Sequence, residues 1–131
     1  MVKLFPIALI AALIIALYLL SYMFQIPHTN YAKIAEISKQ DPRVQNYLKQ
    51  HSNAKYKVIK AYLSSDGVVY MVDENWKPKG LGGSIAGKPI DGKDHYCWIV
   101  HWYDPSPGVP HIVDVFIDKE TLKIVLVIEA V

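Results

Sequence analysis

The chain has little that would place it in a familiar functional class. A single cysteine, Cys97, rules out a disulfide within the chain, so cysteine usage points to neither an oxidising nor a reducing compartment. No Asn-x-Ser/Thr sequon is present. Basic and acidic residues nearly balance, 14 against 12, and the lysines are scattered, so nothing forms the basic stripe that a nucleic-acid partner requires. The glycine-rich stretch Gly80-Leu81-Gly82-Gly83-Ser84-Ile85-Ala86-Gly87 is not followed by Gly-Lys-Ser/Thr, and its spacing fails the dinucleotide pattern. Cys97 lies in an apolar run without a nucleophile elbow or a helix start to lower its pKa, which argues against cysteine or serine hydrolase chemistry.

One further absence carries positive information. From Leu4 to Phe24 there is no charged residue, and about 21 helical residues at roughly 1.5 Å each match the bilayer's hydrocarbon core. Pro6 falls in the first turn, where its missing N–H costs nothing, and Tyr18, Tyr22 and Phe24 cluster at the far end as interfacial aromatics do. The residues from Leu20 to Gln25 are bulky where a cleaved signal would carry small ones, so the expectation is a retained single-pass anchor over residues 1–26 and a domain over 27–131. Orientation stays open. Lys33, Lys39 and Arg43 against Lys3 favour a cytoplasmic domain by charge count, whereas the look of a signal anchor favours an extracytoplasmic one, which is the expectation adopted. Ala8, Ala11, Ala12 and Ala16 give the anchor small residues that would permit close packing with other membrane subunits.

After Pro27 the periodicity predicts two short helices or one kinked helix. Thr29 or Asn30 can cap the first, which carries Ile34 and Ile37; Asp41 and Pro42 suit the N-cap and first position of the second, with Val44, Tyr47, Leu48 and His51 as its apolar stripe. The period then changes to that of strands. Lys55 to Leu63, a turn at Ser64-Ser65-Asp66-Gly67, and Val68 to Asp73 read as a hairpin. Trp76 to Asp94 holds five glycines and two prolines and reads as a long loop without strand or helix. His95 to Tyr103, His111 to Asp118 and Leu122 to Glu129 follow as strands, the last expected to be central with Leu122, Ile124, Leu126 and Ile128 facing the helices. The expected class is α+β, with one or two helices packed on a four- or five-stranded antiparallel sheet behind the anchor.

Asp41-Pro42-Arg43-Val44-Gln45-x-Tyr47-Leu48 followed by Tyr56-x-Val58, and Val113-x-Val115-x-Ile117-Asp118-x-x-Thr121-x-x-Ile124 near the end, resemble the helix, first strand and closing hairpin of PepSY-like, cystatin-like α+β domains. Leu122 stands where that family's turn glycine would be. The resemblance covers about Tyr31 to Val131, and it implies a helix across an antiparallel sheet working as a binding, inhibitory or accessory module with no catalytic residues to carry over.

Two groups of side chains invite a functional reading. His95, Cys97, His101, Asp104, His111 and Asp114 fall within twenty residues and are of types that bind zinc or copper, with His101 and His111 flanking a hairpin connection. No close-spaced ligand motif accompanies them, so no cofactor is expected and a copper or zinc site is the alternative. Trp98 and Trp102 offer an apolar face that serves either the core or, with Tyr103, Pro105 and Pro107, a partner. The expectation is a membrane-tethered, non-enzymatic accessory module that engages a protein or peptide at the bilayer surface; a structural subunit of a membrane complex and a small metal-binding domain are the alternatives.

Overall fold

The computed structural model describes residues 11–19, 30–80 and 82–131. The chain divides into two units, Met1–Asn30 and Tyr31–Val131. In the first, residues 11–19 form helix α1, and all nine are exposed. The expected span from Leu4 to Phe24 lies largely outside the described residues, and no helix among the described residues is long and apolar enough to cross a membrane.

The second unit is α+β. Helix α2 (Tyr31–Ser38) and helix α3 (Pro42–Gln50) are separate, so of the two alternatives, two short helices or one kinked helix, the first holds. Asp41 is the N-cap of α3, its carboxylate accepting from the Arg43 backbone N–H at 2.8 Å, and Pro42 supplies a pre-set φ where no N–H is needed. The strands are β1 (Lys55–Leu63), β2 (Val68–Met71), β3 (Ser84–Ile85), β4 (His95–Tyr103), β5 (Ile112–Asp118) and β6 (Ile124–Ala130). They form one antiparallel sheet in the order β3-β2-β1-β4-β5-β6.

Three expectations need correction. The sheet has six strands rather than four or five, because the glycine-rich loop contributes the two-residue β3, too short to leave a periodic signal. The last strand is at an edge, not central. Its unbroken apolar run arises instead because both faces of the sheet are covered. On the helix face, Trp98, Val100, Trp102, Val113, Val115, Ile117 and Val127 pack with Ile34, Ala35, Val44 and Tyr47. On the second face, Ala61, Leu63, Cys97, Ile99, Phe116 and Val125 form their own cluster. Lastly, the predicted alternation in β6 fails midway. A bulge between Phe116 and Ile117 pairs Ile117 with Ile124 but Phe116 with Leu126, so the strand changes phase. Ile124 packs with the helix-face cluster, while Leu126 and Ile128 pack with the second. Ile34 and Val44 are buried as expected, and Ile37 and Leu48 are half-buried against the same cluster.

The second face is closed by the end of the glycine-rich loop. The Ala86 N–H donates to the Gly67 carbonyl at 2.8 Å, and the Ile90 N–H donates to the Val125 carbonyl at 2.8 Å, so this stretch ties the β1–β2 turn to the edge strand. Gly67 has φ +88°, and a Cβ there would lie 2.7 Å from the Gly87 carbonyl carbon. Gly67→Ala is therefore expected to cost about 1–2 kcal/mol, the left-handed penalty for an L side chain, in chemical denaturation. An unchanged midpoint would mean that the turn does not touch the loop. Leu122 also has positive φ, 58°, in the turn where glycine would be the unstrained residue, and its half-buried side chain packs against the helix-face cluster.

Candidate functional site

The aromatic patch predicted on β4 is divided by burial. Trp98 and Trp102 are 7% and 3% exposed and belong to the core. The Trp102 indole N–H donates to the Ser38 hydroxyl at 2.9 Å, satisfying its one polar group inside. Tyr103 remains half-buried, stacked on His101 at 5.6 Å, and Pro105 and Pro107 are exposed.

A different aromatic surface is open. The hairpin register sets Tyr62 opposite Tyr70 on β2 and opposite Tyr96 on β4, which lines up three tyrosines across three adjacent strands. Their rings lie 6.2 and 5.0 Å apart. Together with Pro78 and Gly80 they wall a groove of about 460 Å³. Burial, followed by the neighbouring Asp94 carboxylate, pushes the Tyr62 phenol above its ordinary pKa, so it stays a neutral hydrogen-bonding group.

Trp76 borders this face. The Asp73 carboxylate accepts from the N–H groups of Asn75 and Lys77, folding a tight turn in which Trp76 takes φ 65°. The turn lays the indole edge-on against Trp98 at 4.8 Å and near Tyr96 at 6.2 Å. Lys60 and Lys119 place ammonium groups 5.2 and 4.6 Å from its ring centroid, within cation–π range. Neither the groove nor Trp76 was legible as a site in the sequence. The four-residue turn read from the sequence would pair Tyr62 with Val69; the observed connection is one residue longer, and that shift is what sets Tyr62 opposite Tyr70.

The histidines and acids of the predicted cluster are separated into three groups, each with its own carboxylate partners. His95 lies between two acids, its Nδ1 at 2.7 Å from Asp118 and its Nε2 at 2.8 Å from Asp91. His101 is in register with Asp114 and bonds it at 2.5 Å. The same register puts His111 beyond Ile112, the partner of Tyr103, so His101 and His111 do not meet across the hairpin. His111 and Asp104 converge on His51 from the end of α3, which sequence spacing alone did not connect to them. Cys97 is fully buried on the second face, and burial pushes its thiol up to about 12. Among the described residues no group of three or more His, Cys, Asp and Glu is placed to hold a metal ion.

Burial works against the charge on His95, but Asp91 and Asp118 outweigh it and hold its pKa above the ordinary value. Burial likewise opposes ionisation of Asp118, yet the Thr121 backbone N–H, the His95 ring and the Glu120 N–H together bring its carboxyl down to about 2. The arrangement is that of a charged clamp joining the loop before β4 to the β5–β6 turn. Compared with protein-family models, with curated proteins and with solved structures, the chain shows no match.

Proposed function

We propose that this protein is a membrane-tethered, non-catalytic accessory module of the PepSY-like kind, which holds an extended, proline-containing peptide segment of a partner protein in the Tyr62–Tyr70–Tyr96 groove. The groove is the observation that carries this reading. Aromatic walls with hydroxyls at their tips are the surfaces that take polyproline-type segments, because such segments enter already extended and lose little entropy on binding. A volume of about 460 Å³ is within the range of ligand-sized clefts. The tether is supported by the uncharged run from Leu4 to Phe24 and by the exposure of every residue of α1, including Leu13, Ile14, Ile15 and Leu17, which water would disfavour and lipid would not. The layer of two helices on an antiparallel sheet supports the PepSY-like part.

The test uses the full chain in membranes. It should remain in the pellet after a carbonate wash. A proline-rich decapeptide should change the fluorescence of the chain's tryptophans, since Trp76 contacts Tyr96 at the groove's border. Tyr96→Ser, at a residue already 44% exposed, should weaken that binding at least tenfold, about 1.4 kcal/mol. Lys49→Ala, on the exposed side of α3, should leave it unchanged. Extraction by carbonate would overturn the tether, and binding insensitive to Tyr96→Ser, or no binding, would overturn the groove.

A further inference from the structure

Four side chains from distant parts of the chain stand in a line at one end of the sheet: Asp104, His51, His111 and Glu129. His51 Nδ1 lies 3.0 Å from an Asp104 carboxylate oxygen, and His51 Nε2 lies 2.9 Å from His111 Nδ1. His111 Nε2 in turn lies 2.8 Å from Glu129 Oε1. The proton count follows from what each group can do. An ionised carboxylate only accepts, so both outer ring nitrogens carry hydrogens. The two inner nitrogens need one hydrogen between them: with none, two lone pairs would face each other, and with two, N–H would meet N–H. Three protons on four nitrogens make one imidazolium and one neutral imidazole, a single positive charge between two carboxylates.

We propose that His51 and His111 share one proton as an acid-sensitive latch, which holds the proline-rich connection of residues 104–110 against the end of α3 and opens when the pair takes up a second proton. A second proton removes the only acceptor between the rings and sets two cations against each other, with side chains only 14% and 15% exposed. The surrounding charges are few. From α3, Tyr47 donates its hydroxyl to the His111 carbonyl at 2.8 Å and lays its ring against both imidazoles, and the Arg43 charge acts on Glu129. The connection contributes Ser106, whose N–H donates to Asp104 at 2.8 Å. From β1, Lys55 is in register with Tyr103, the residue before Asp104. The Ser106 hydrogen bonds first, and the His51 bond after them, hold the Asp104 carboxyl below its usual range, so it remains an acceptor while the imidazoles change state.

The direction of the effect is set by proton linkage. The His51–His111 hydrogen bond needs one bare ring nitrogen as its acceptor, so protonating both rings removes that bond and with it the latch's contribution in acid. The His95 clamp runs the other way. Its raised folded pKa makes its contribution complete below about 6.5 and lost as pH rises through the folded value, so the two are separable in one titration.

The experiment takes the full chain in detergent micelles with 15N-labelled histidine. At pH 7.5, long-range 1H–15N spectra should show hydrogens on His51 Nδ1 and His111 Nε2 and one shared between the inner nitrogens. At pH 5, amide exchange at Ser106, Gly108 and Val109, measured relative to Ile99 and Val100 in β4, should be at least tenfold faster than at pH 7.5. His111→Gln should reduce that pH effect to less than twofold. If that variant does not fold, Glu129→Gln serves, since removing a negative charge disfavours the doubly cationic pair and should move the opening to lower pH. Rings that titrate with no change in exchange, or an outer nitrogen without its hydrogen at pH 7.5, would overturn the latch. So would a rise in melting temperature on adding zinc alone that is lost in both His51→Gln and His111→Gln, because the facing nitrogens would then be a ligand pair.

Discussion

Trp102→Ala should destabilise the protein by about 3–5 kcal/mol, the range for deleting a large aromatic from a packed core. Trp102 is 3% exposed near the C-terminal end of β4, with α2 on one side and the Tyr56 ring 5.2 Å away on β1. Its N–H reaches the hydroxyl of Ser38, a residue with no exposed surface, which itself donates to the Ala35 carbonyl at 2.6 Å. Deletion would therefore open a cavity beneath α2 and leave the Ser38 oxygen short of a donor, two losses that the surrounding β-branched side chains cannot relax to fill. Trp102→Phe keeps most of the volume and loses the hydrogen bond, so it should cost about 1 kcal/mol. Urea denaturation of both variants decides the matter. A loss below about 0.5 kcal/mol for the alanine variant, the size typical of surface positions, would return Trp102 to the partner surface.

Asp118→Ala should cost about 3 kcal/mol, since hydrogen bonds to charged groups contribute about 1.5–3 kcal/mol and Asp118 accepts several. One carboxylate oxygen takes the N–H groups of Glu120 and Thr121 and the Thr121 hydroxyl, at 2.9, 2.8 and 3.1 Å; the other takes the His95 ring at 2.7 Å. A carboxyl brought down from an ordinary 3.8 to about 2 contributes stability that is complete above about pH 4 and lost as pH falls through about 2. That depression is equivalent to roughly 2 kcal/mol. In a thermal series the wild-type protein should lose melting temperature steeply between pH 4 and pH 2, and Asp118→Ala should lose distinctly less across the same interval. Parallel profiles would show that the carboxylate does not hold the turn and the loop together.

The legible parts of this protein are those whose signals are local. Asp41-Pro42 announces the start of α3 because a capping carboxylate and a proline act within one helical turn. Lys55 to Leu63 and His95 to Tyr103 are found to the residue, since alternation, β-branched and aromatic content and flanking turn residues all lie inside the segment. The same locality explains the failures. β3 is two residues long and forms only because Val68 and Val69 present a free edge to it. Leu126 and Ile128 face the second cluster because of a bulge, and a bulge belongs to a pair of strands rather than to one.

The candidate sites divide along the same line. Composition and periodicity by themselves determined an α+β domain behind an uncharged apolar run, and placed Trp98 and Trp102 on one face of one strand, because hydrophobic period and breaker residues are properties of consecutive positions. Which side chains meet was decided only by the tertiary structure. Tyr62 reaches Tyr96 through the β1–β4 register, and His51 reaches His111 across 60 positions because α3 ends beside the β4–β5 connection. His101, ten residues from His111 and of the same chemical type, instead faces Asp114. Spacing along a chain constrains contacts within one element, but contacts between elements depend on strand order, register and helix placement, and those are set by how the apolar faces close against each other.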